Sequence, residues 1–164
     1  QPLNTGGFGN NFNWKNFDLN IFFAWSYGND VLNANRLVFE SGWRSQTNQL
    51  ASYADRWSPE NPASNIPRVN AVGREEYSSR VIEDGSFLRL RSLTLSYTFP
   101  EKISRRLAMK SLRVYFQGDN LWLATRYSGW DPEVSNNLDP RFMGVDNFSV
   151  PQPRMFCFGL NVTF

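Results

Sequence analysis

Two pairs of adjacent carboxylates, Glu75-Glu76 and Glu83-Asp84, come closest in this chain to a hydrolytic arrangement. Two carboxyl groups about 5 to 10 Å apart across a cleft can act as acid and base in glycoside cleavage. Adjacent carboxylates on a polar stretch are more often just solvated. Asp131, Glu133, Asp139 and Asp146 supply the hard oxygen donors calcium takes, but at a spacing that matches no known calcium loop. Nucleophilic and zinc chemistry fail on counting. With no histidine there is no Ser-His-Asp triad, no Cys-His pair and no His-ligated metal. The single cysteine, Cys157, can form neither an internal disulfide nor a cysteine-cluster zinc site. The expectation is therefore no enzyme, no cofactor and no metal. Binding chemistry is better represented. Arg89 and Arg91 could draw an anionic substrate, or could be solvated or paired with a neighbouring carboxylate. Tyr127, Trp130 and Asp131 place aromatics beside a carboxylate, which suits stacking on sugar rings. The alternative is a loop packed against its neighbour or against a partner protein.

Residues of this kind need a scaffold, and composition narrows it. The chain has 164 residues, long enough for a sizeable core, and 16% of them are aromatic. That aromatic share argues against a disordered chain. It also argues against a helical bundle, which would lean on Ala, Leu, Glu and Lys. The net charge of +2 comes from 17 basic and 15 acidic residues, too balanced to point to nucleic acid without a clustered patch. The longest apolar run, Ile21 to Trp25, is too short for a transmembrane helix. The opening QPLNTGG lacks a basic and an apolar leader region, as expected of a piece of a longer chain.

The dominant period is two. Phe17, Leu19, Ile21, Phe23, Trp25 and Tyr27 alternate with Asp18, Asn20, Phe22, Ala24 and Ser26, predicting a strand over 17–27 that ends at Gly28-Asn29-Asp30. A less regular strand over about 7–14 precedes it, joined by a tight hairpin at Lys15-Asn16. A second clear strand covers 87–99, where Leu93, Leu95, Tyr97 and Phe99 share one face. Upstream the parity changes at Leu88 and Leu90, so a bulge resets the register or the upper part leaves the apolar zone. Pro100 closes it. A third strand runs from Leu112 to about Ala124. A fourth covers 155–164, with Phe156, Phe158, Leu160, Val162 and Phe164 on one face and Cys157, Gly159, Asn161 and Thr163 on the other. The connections 15–16 and 100–111 are short, whereas 28–86 and 125–154 are long. Segments of that length in a compact domain are usually functional. Helical spacing appears over 33–43 and 47–57.

Strict alternation with bulky aromatics fits two architectures. In a secreted antiparallel sandwich that binds carbohydrate, the apolar face covers a core. In an outer-membrane barrel it meets lipid while the polar face lines a wet lumen. Strands of about ten residues, alternating short and long connections, and aromatics at strand ends favour the barrel. The aromatics concerned are Trp14, Trp25, Tyr27, Tyr97, Phe99, Trp122 and Phe164.

Longer motifs sharpen this. The run from Asp84 to Pro100 (DGSFLRLRSLTLSYTFP) resembles the signature near the C-terminus of SusC/RagA-type TonB-dependent transporters. So do Leu112-Arg113-Val114-Tyr115 continuing to Gly118-Asp119-Asn120-Leu121-Trp122, the segment Tyr127 to Glu133, and Pro151-Gln152-Pro153-Arg154. Lys15 to Leu19 and Ser26 to Asp30 also fit, and together these motifs cover nearly the whole chain in order. The resemblance implies an all-β fold: residues 1–164 as about five C-terminal antiparallel strands of a barrel of about 22, with long extracellular loops. It implies an outer-membrane importer of glycans or peptides, partnered by a SusD-like surface lipoprotein and energised by TonB. The plug, the TonB box and the remaining strands are absent from this chain, and five strands cannot close a barrel, for which about eight is the practical minimum. It further implies that Phe156, Phe158, Leu160, Val162 and terminal Phe164 form an assembly signal. On this reading 28–86 and 125–154 lie outside the cell and 100–111 in the periplasm, where Lys102, Arg105, Arg106 and Lys110 keep the turn soluble.

Overall fold

The computed structural model describes residues 1–41, 47–69, 77–134 and 143–164. The chain divides into two compact units. One comprises residues 2–27, 86–125 and 152–164; the other comprises Gln1, 28–85 and 126–151.

The first unit is a five-stranded antiparallel sheet in the order β1-β2-β5-β6-β8. Its strands are β1 (Asn4–Trp14), β2 (Phe17–Tyr27), β5 (Phe87–Thr98), β6 (Ser111–Thr125) and β8 (Met155–Thr163). Every strand expected from alternation is present, and β2 has the expected limits. The β1–β2 hairpin turns through Lys15 and Asn16, with Lys15 at φ 54°. Asn16 then ties this turn to the neighbouring strand: its Nδ2 donates to the Thr98 carbonyl at 2.6 Å and its own carbonyl accepts the Thr98 N–H at 2.9 Å.

The register sorts side chains into two chemically distinct faces, because directly paired residues share a face. Across the sheet run the rows Phe12–Leu19–Leu95–Phe116–Phe158 and Phe17–Tyr97–Val114–Leu160. The opposite face carries Asn11–Asn20–Thr94–Gln117–Cys157 and Asp18–Ser96–Tyr115–Gly159. The parity change in β5 is a bulge: Phe22 and Phe23 are adjacent in β2 yet pair with Ser92 and Leu90, leaving Arg91 as the extra residue. It puts Leu88 and Leu90 on the apolar face and Arg89 on the polar one. The apolar face is not a covered core. Phe12 is 57% exposed, Phe158 79% and Leu160 68%, which a sandwich would not leave open. At the hairpin end its aromatics form a chain. Ring centroids of Trp14 and Phe17 are 6.4 Å apart, of Phe17 and Tyr97 4.6 Å, and of Tyr97 and Phe99 5.0 Å.

Glycines seat large rings at two register pairs. A side chain at Gly6 would meet the Trp25 ring at 2.5 Å, and one at Gly159 would overlap Tyr115. The 100–111 connection contains a short helix, α2 (Glu101–Arg106), which starts at Pro100 and has Glu101 in its first turn and Arg105 and Arg106 in its last. That charge order matches the helix dipole.

The long connections fold together into the second unit, which alternation did not reveal. Strand β3 (Asp30–Asn33) pairs antiparallel with β4 (Ile82–Asp84) and parallel with β7 (Val145–Asp146), so the two segments share one small sheet. Among the described residues, a one-and-a-half-turn helix, α1 (Ala34–Phe39), and a 3-10 turn at Ala51–Asp55 stand where longer helices were expected over 33–43 and 47–57, and a further 3-10 turn lies at Ser79–Val81. Val31, Tyr127 and Val134 form its core cluster. No helix among the described residues is long and apolar enough to cross a membrane.

Candidate functional site

In the loop unit, α1 and β3 build an ionic network. Buried Glu40 receives Arg36 Nε at 3.0 Å, the Ser52 hydroxyl at 2.7 Å and the Arg80 guanidinium. Arg36 also reaches Glu83 at 3.1 Å and donates to the Arg80 carbonyl at 3.1 Å. Glu83 further accepts the Ser128 N–H and hydroxyl, both at 2.9 Å, and Asn33 Nδ2 at 3.2 Å. Burial alone would raise the Glu83 pKa, but the Ser128, Arg36 and Asn33 donors outweigh it and hold it below the ordinary value. Glu83 is thus fixed as an acceptor, the opposite of what an acid catalyst needs. Glu83 and Asp84 are successive residues of β4, so their side chains point to opposite faces of the strand.

Beside this network lies an open cleft of about 1,090 Å³. Its aromatic wall is Phe39, Phe148 and Trp130, and its polar wall includes Asn35, Arg36 and Glu40. Phe148 packs edge-on against Phe39, with centroids 5.6 Å apart. Its φ of 58° is a left-handed conformation costly for a bulky residue, and its N–H is captured by Asn35 Oδ1 at 2.8 Å. That holds a half-exposed ring at the cleft mouth. Such a surface offers aromatic faces and fixed dipoles to a ligand.

The five residues singled out from sequence do not form one site. Arg89 lies on the polar face of the sheet, only 2% exposed, its guanidinium 5.8 Å from the Phe87 ring centroid. Arg91 occupies the bulge. The other three are in the loop unit with different roles. Tyr127 is 5% exposed and donates its hydroxyl to Asp146 Oδ2 at 2.5 Å, so its ring has no open face for a sugar. Burial first, and Asp146 second, push its pKa well above the ordinary tyrosine value. Asp131 is buried and accepts the Glu133 N–H at 2.9 Å. Trp130, 83% exposed, alone of the three lines the cleft. Phe39, Phe148, Asn35 and Arg36 were not singled out from sequence. They come from two segments a hundred residues apart, and no local spacing marks them.

No group of three metal-ligating residues occurs among the described residues. Asp146 is engaged by Tyr127 and by the Ser149 N–H. Asp139, Glu75 and Glu76 lie outside the described residues. The stripe Phe156, Phe158, Leu160 and Val162 is exposed along β8, with the Phe116 ring stacked with Phe156 and tilted against Phe158, and Phe164 lies just past the strand, 86% exposed.

A two-faced meander with an uncovered apolar side, an aromatic girdle and long folded connections is a section of outer-membrane β-barrel wall. Relatives specify which barrel. The chain is 37% identical over 99% of its length to TonB-dependent receptor P3 of Formosa agariphila, covering 16% of that protein. It is 28% identical over 92% of its length to TonB-dependent receptor SusC of Bacteroides thetaiotaomicron, covering 14%. It superposes on the RagAB peptide importer in its open-open state with a TM-score of 0.83 and 28% identity, covering all of this chain and 17% of that one. No family model matches. The chain belongs to the SusC/RagA-type TonB-dependent receptors, as a segment of their barrel in the outer membrane. It spans about one-sixth of the length of these relatives. None of them is named as an enzyme.

Proposed function

We propose that residues 1–164 are the C-terminal part of the barrel of a TonB-dependent importer of glycans or peptides, with plug and N-terminal strands on the rest of a longer protein. The observation that carries this is the match of the whole chain to a peptide importer and of 92% of it to SusC, with the five strands paired antiparallel in chain order. Both sheet edges, β1 and β8, need strands from outside the chain, because unpaired backbone groups in hydrocarbon cost several kcal/mol each. TonB engages the part not present here. A SusD-like lipoprotein meets the extracellular unit built from 28–85 and 126–151.

Within that unit the cleft bounded by Trp130, Phe148 and Arg36 contacts substrate or lid. Tyr127 and Asp131 act beneath it as supports. Arg91, at the bulge, gives the lumen a basic character, and Arg89, buried beside the Phe87 ring, supports the wall. The test replaces the host's gene with a Trp130→Ala, Phe148→Ala version and follows uptake of labelled oligopeptides and oligosaccharides. Uptake of one class should fall while barrel abundance stays unchanged. If uptake of neither class depends on the gene, the importer reading is wrong.

A further inference from the structure

The end of the sheet that carries the short connections combines two features that transport does not use. The first is a cleft of about 520 Å³ on the apolar face. Val114 is its small floor, because its register partners Tyr97 and Leu160, with Phe17, Phe116 and Phe158, rise around it. The second is the α2 connection. Ile103 and Leu107, four residues apart and so on one helical face, are 43% and 53% exposed. Around them Lys102, Arg105, Arg106 and Lys110 are all exposed, against one acid, Glu101, which pairs with Arg105 at 2.6 Å. The Lys110 N–H donates to the Thr163 carbonyl at 2.7 Å, which fixes this basic segment beside the end of β8. Lys15, in the neighbouring hairpin, sits 4.9 Å from the Trp14 ring centroid.

Ile103 and Leu107 stand together and exposed within a cluster of four cations. Apolar side chains left open among cations are what a segment lying in a lipid interface presents. We infer that this end of the barrel holds an anionic phospholipid of the periplasmic leaflet, its headgroup among Lys102, Arg106, Lys110 and Lys15 and an acyl chain in the Val114 cleft. Charge chooses the headgroup and the cleft admits the chain. Both lie at the short-connection end, where the aromatic chain from Trp14 to Phe99 marks the interface. The inference rests on the barrel reading and on its topology. It revises the expectation that the basic residues serve only to keep the turn soluble.

The test uses the full-length receptor extracted from its host's outer membrane in mild detergent, with retained lipid counted by native mass spectrometry. Phosphatidylglycerol, phosphatidylcholine and glycerol 3-phosphate are the probes. Phosphatidylglycerol should be retained over phosphatidylcholine, and Lys102→Gln, Arg106→Gln and Lys110→Gln should each weaken retention about fivefold. Val114→Trp should lower it by filling the cleft. Because that change lies in the membrane, the glutamine variants decide the matter if it fails to assemble. Glycerol 3-phosphate should not compete; competition would mean a site for free phosphate and would overturn the lipid assignment. Equal retention of the two lipids, or no effect of the glutamine variants, would also overturn it. A receptor missing from the outer-membrane fraction would instead refute the barrel reading.

Discussion

Tyr115 and Gly159 are register partners on the polar face, and a side chain at position 159 would overlap the hydroxyl end of the tyrosine. Gly159→Ala therefore forces a choice. Keeping the ring in place overpacks the pair, at about 1 to 3 kcal/mol. Swinging it away re-exposes on the order of 40 Å² of apolar surface, about 1 kcal/mol at 25 cal/mol per Å². Against either stands the better strand-forming ability of alanine over glycine, about 0.5 to 1 kcal/mol. In the wild-type background the change should thus be neutral to destabilising by about 2 kcal/mol. With Tyr115→Ala already present the clash is gone and only the alanine gain remains, so the same change should stabilise. Urea titration of the full-length receptor in lipid bilayers, read by the heat-dependent gel mobility of the folded barrel, gives the four corners of the cycle. The coupling should be about 1 to 3 kcal/mol. If Gly159→Ala shifts the midpoint equally in both backgrounds, the ring does not rest on the glycine.

The loop unit gives two further predictions. The Tyr127 pKa is raised, so its stabilising contribution is whole below about pH 10, where an unfolded tyrosine begins to ionise, and fades as pH rises beyond that. Protease resistance of the loops should fall above that pH in wild type. Tyr127→Phe should cost about 1 to 2 kcal/mol at neutral pH and flatten the alkaline loss. Glu40→Ala leaves Arg36 and Arg80 without their shared carboxylate and should cost about 2 to 3 kcal/mol. That is less than for a wholly buried pair, since Arg36 is about a quarter exposed; unchanged loop protection in hydrogen exchange would contradict this. Phe164→Asp should lower outer-membrane abundance of the full-length receptor without altering uptake per folded molecule. Normal abundance with lost uptake would move Phe164 from assembly to transport.

The sheet was legible because membrane-length strands write their alternation over nine or more residues, long enough to survive exceptions such as Phe22 and Asn10. The bulge was legible as a parity change at Arg89 and Arg91. The loop unit was not. Its strands are two to four residues long, shorter than any period can show, and its order rests on hydrogen bonds between distant residues, such as Glu83 with Ser128 and Tyr127 with Asp146. The same cause hid the cleft. Asn35 and Phe148 meet through one N–H, and nothing near either residue announces the other. Tyr127 and Trp130 looked equivalent by type and spacing, yet a three-residue step turned one ring inward and the other out. Composition cannot supply that direction, because it depends on Asp146 waiting in the core.

The central claim is that the two faces of the five-stranded sheet meet different solvents. Spin labels at Leu95→Cys and Thr94→Cys, placed one at a time in a cysteine-free full-length receptor in native outer membrane, test it directly. Leu95 shares its row with Leu19, Phe116 and Phe158, and Thr94 shares its row with Asn20 and Gln117. The label at 95 should collide with oxygen dissolved in lipid and be shielded from a water-soluble nickel chelate; the label at 94 should show the reverse. Equal access of the chelate to both positions, or an inverted pattern, would contradict the barrel assignment at its base.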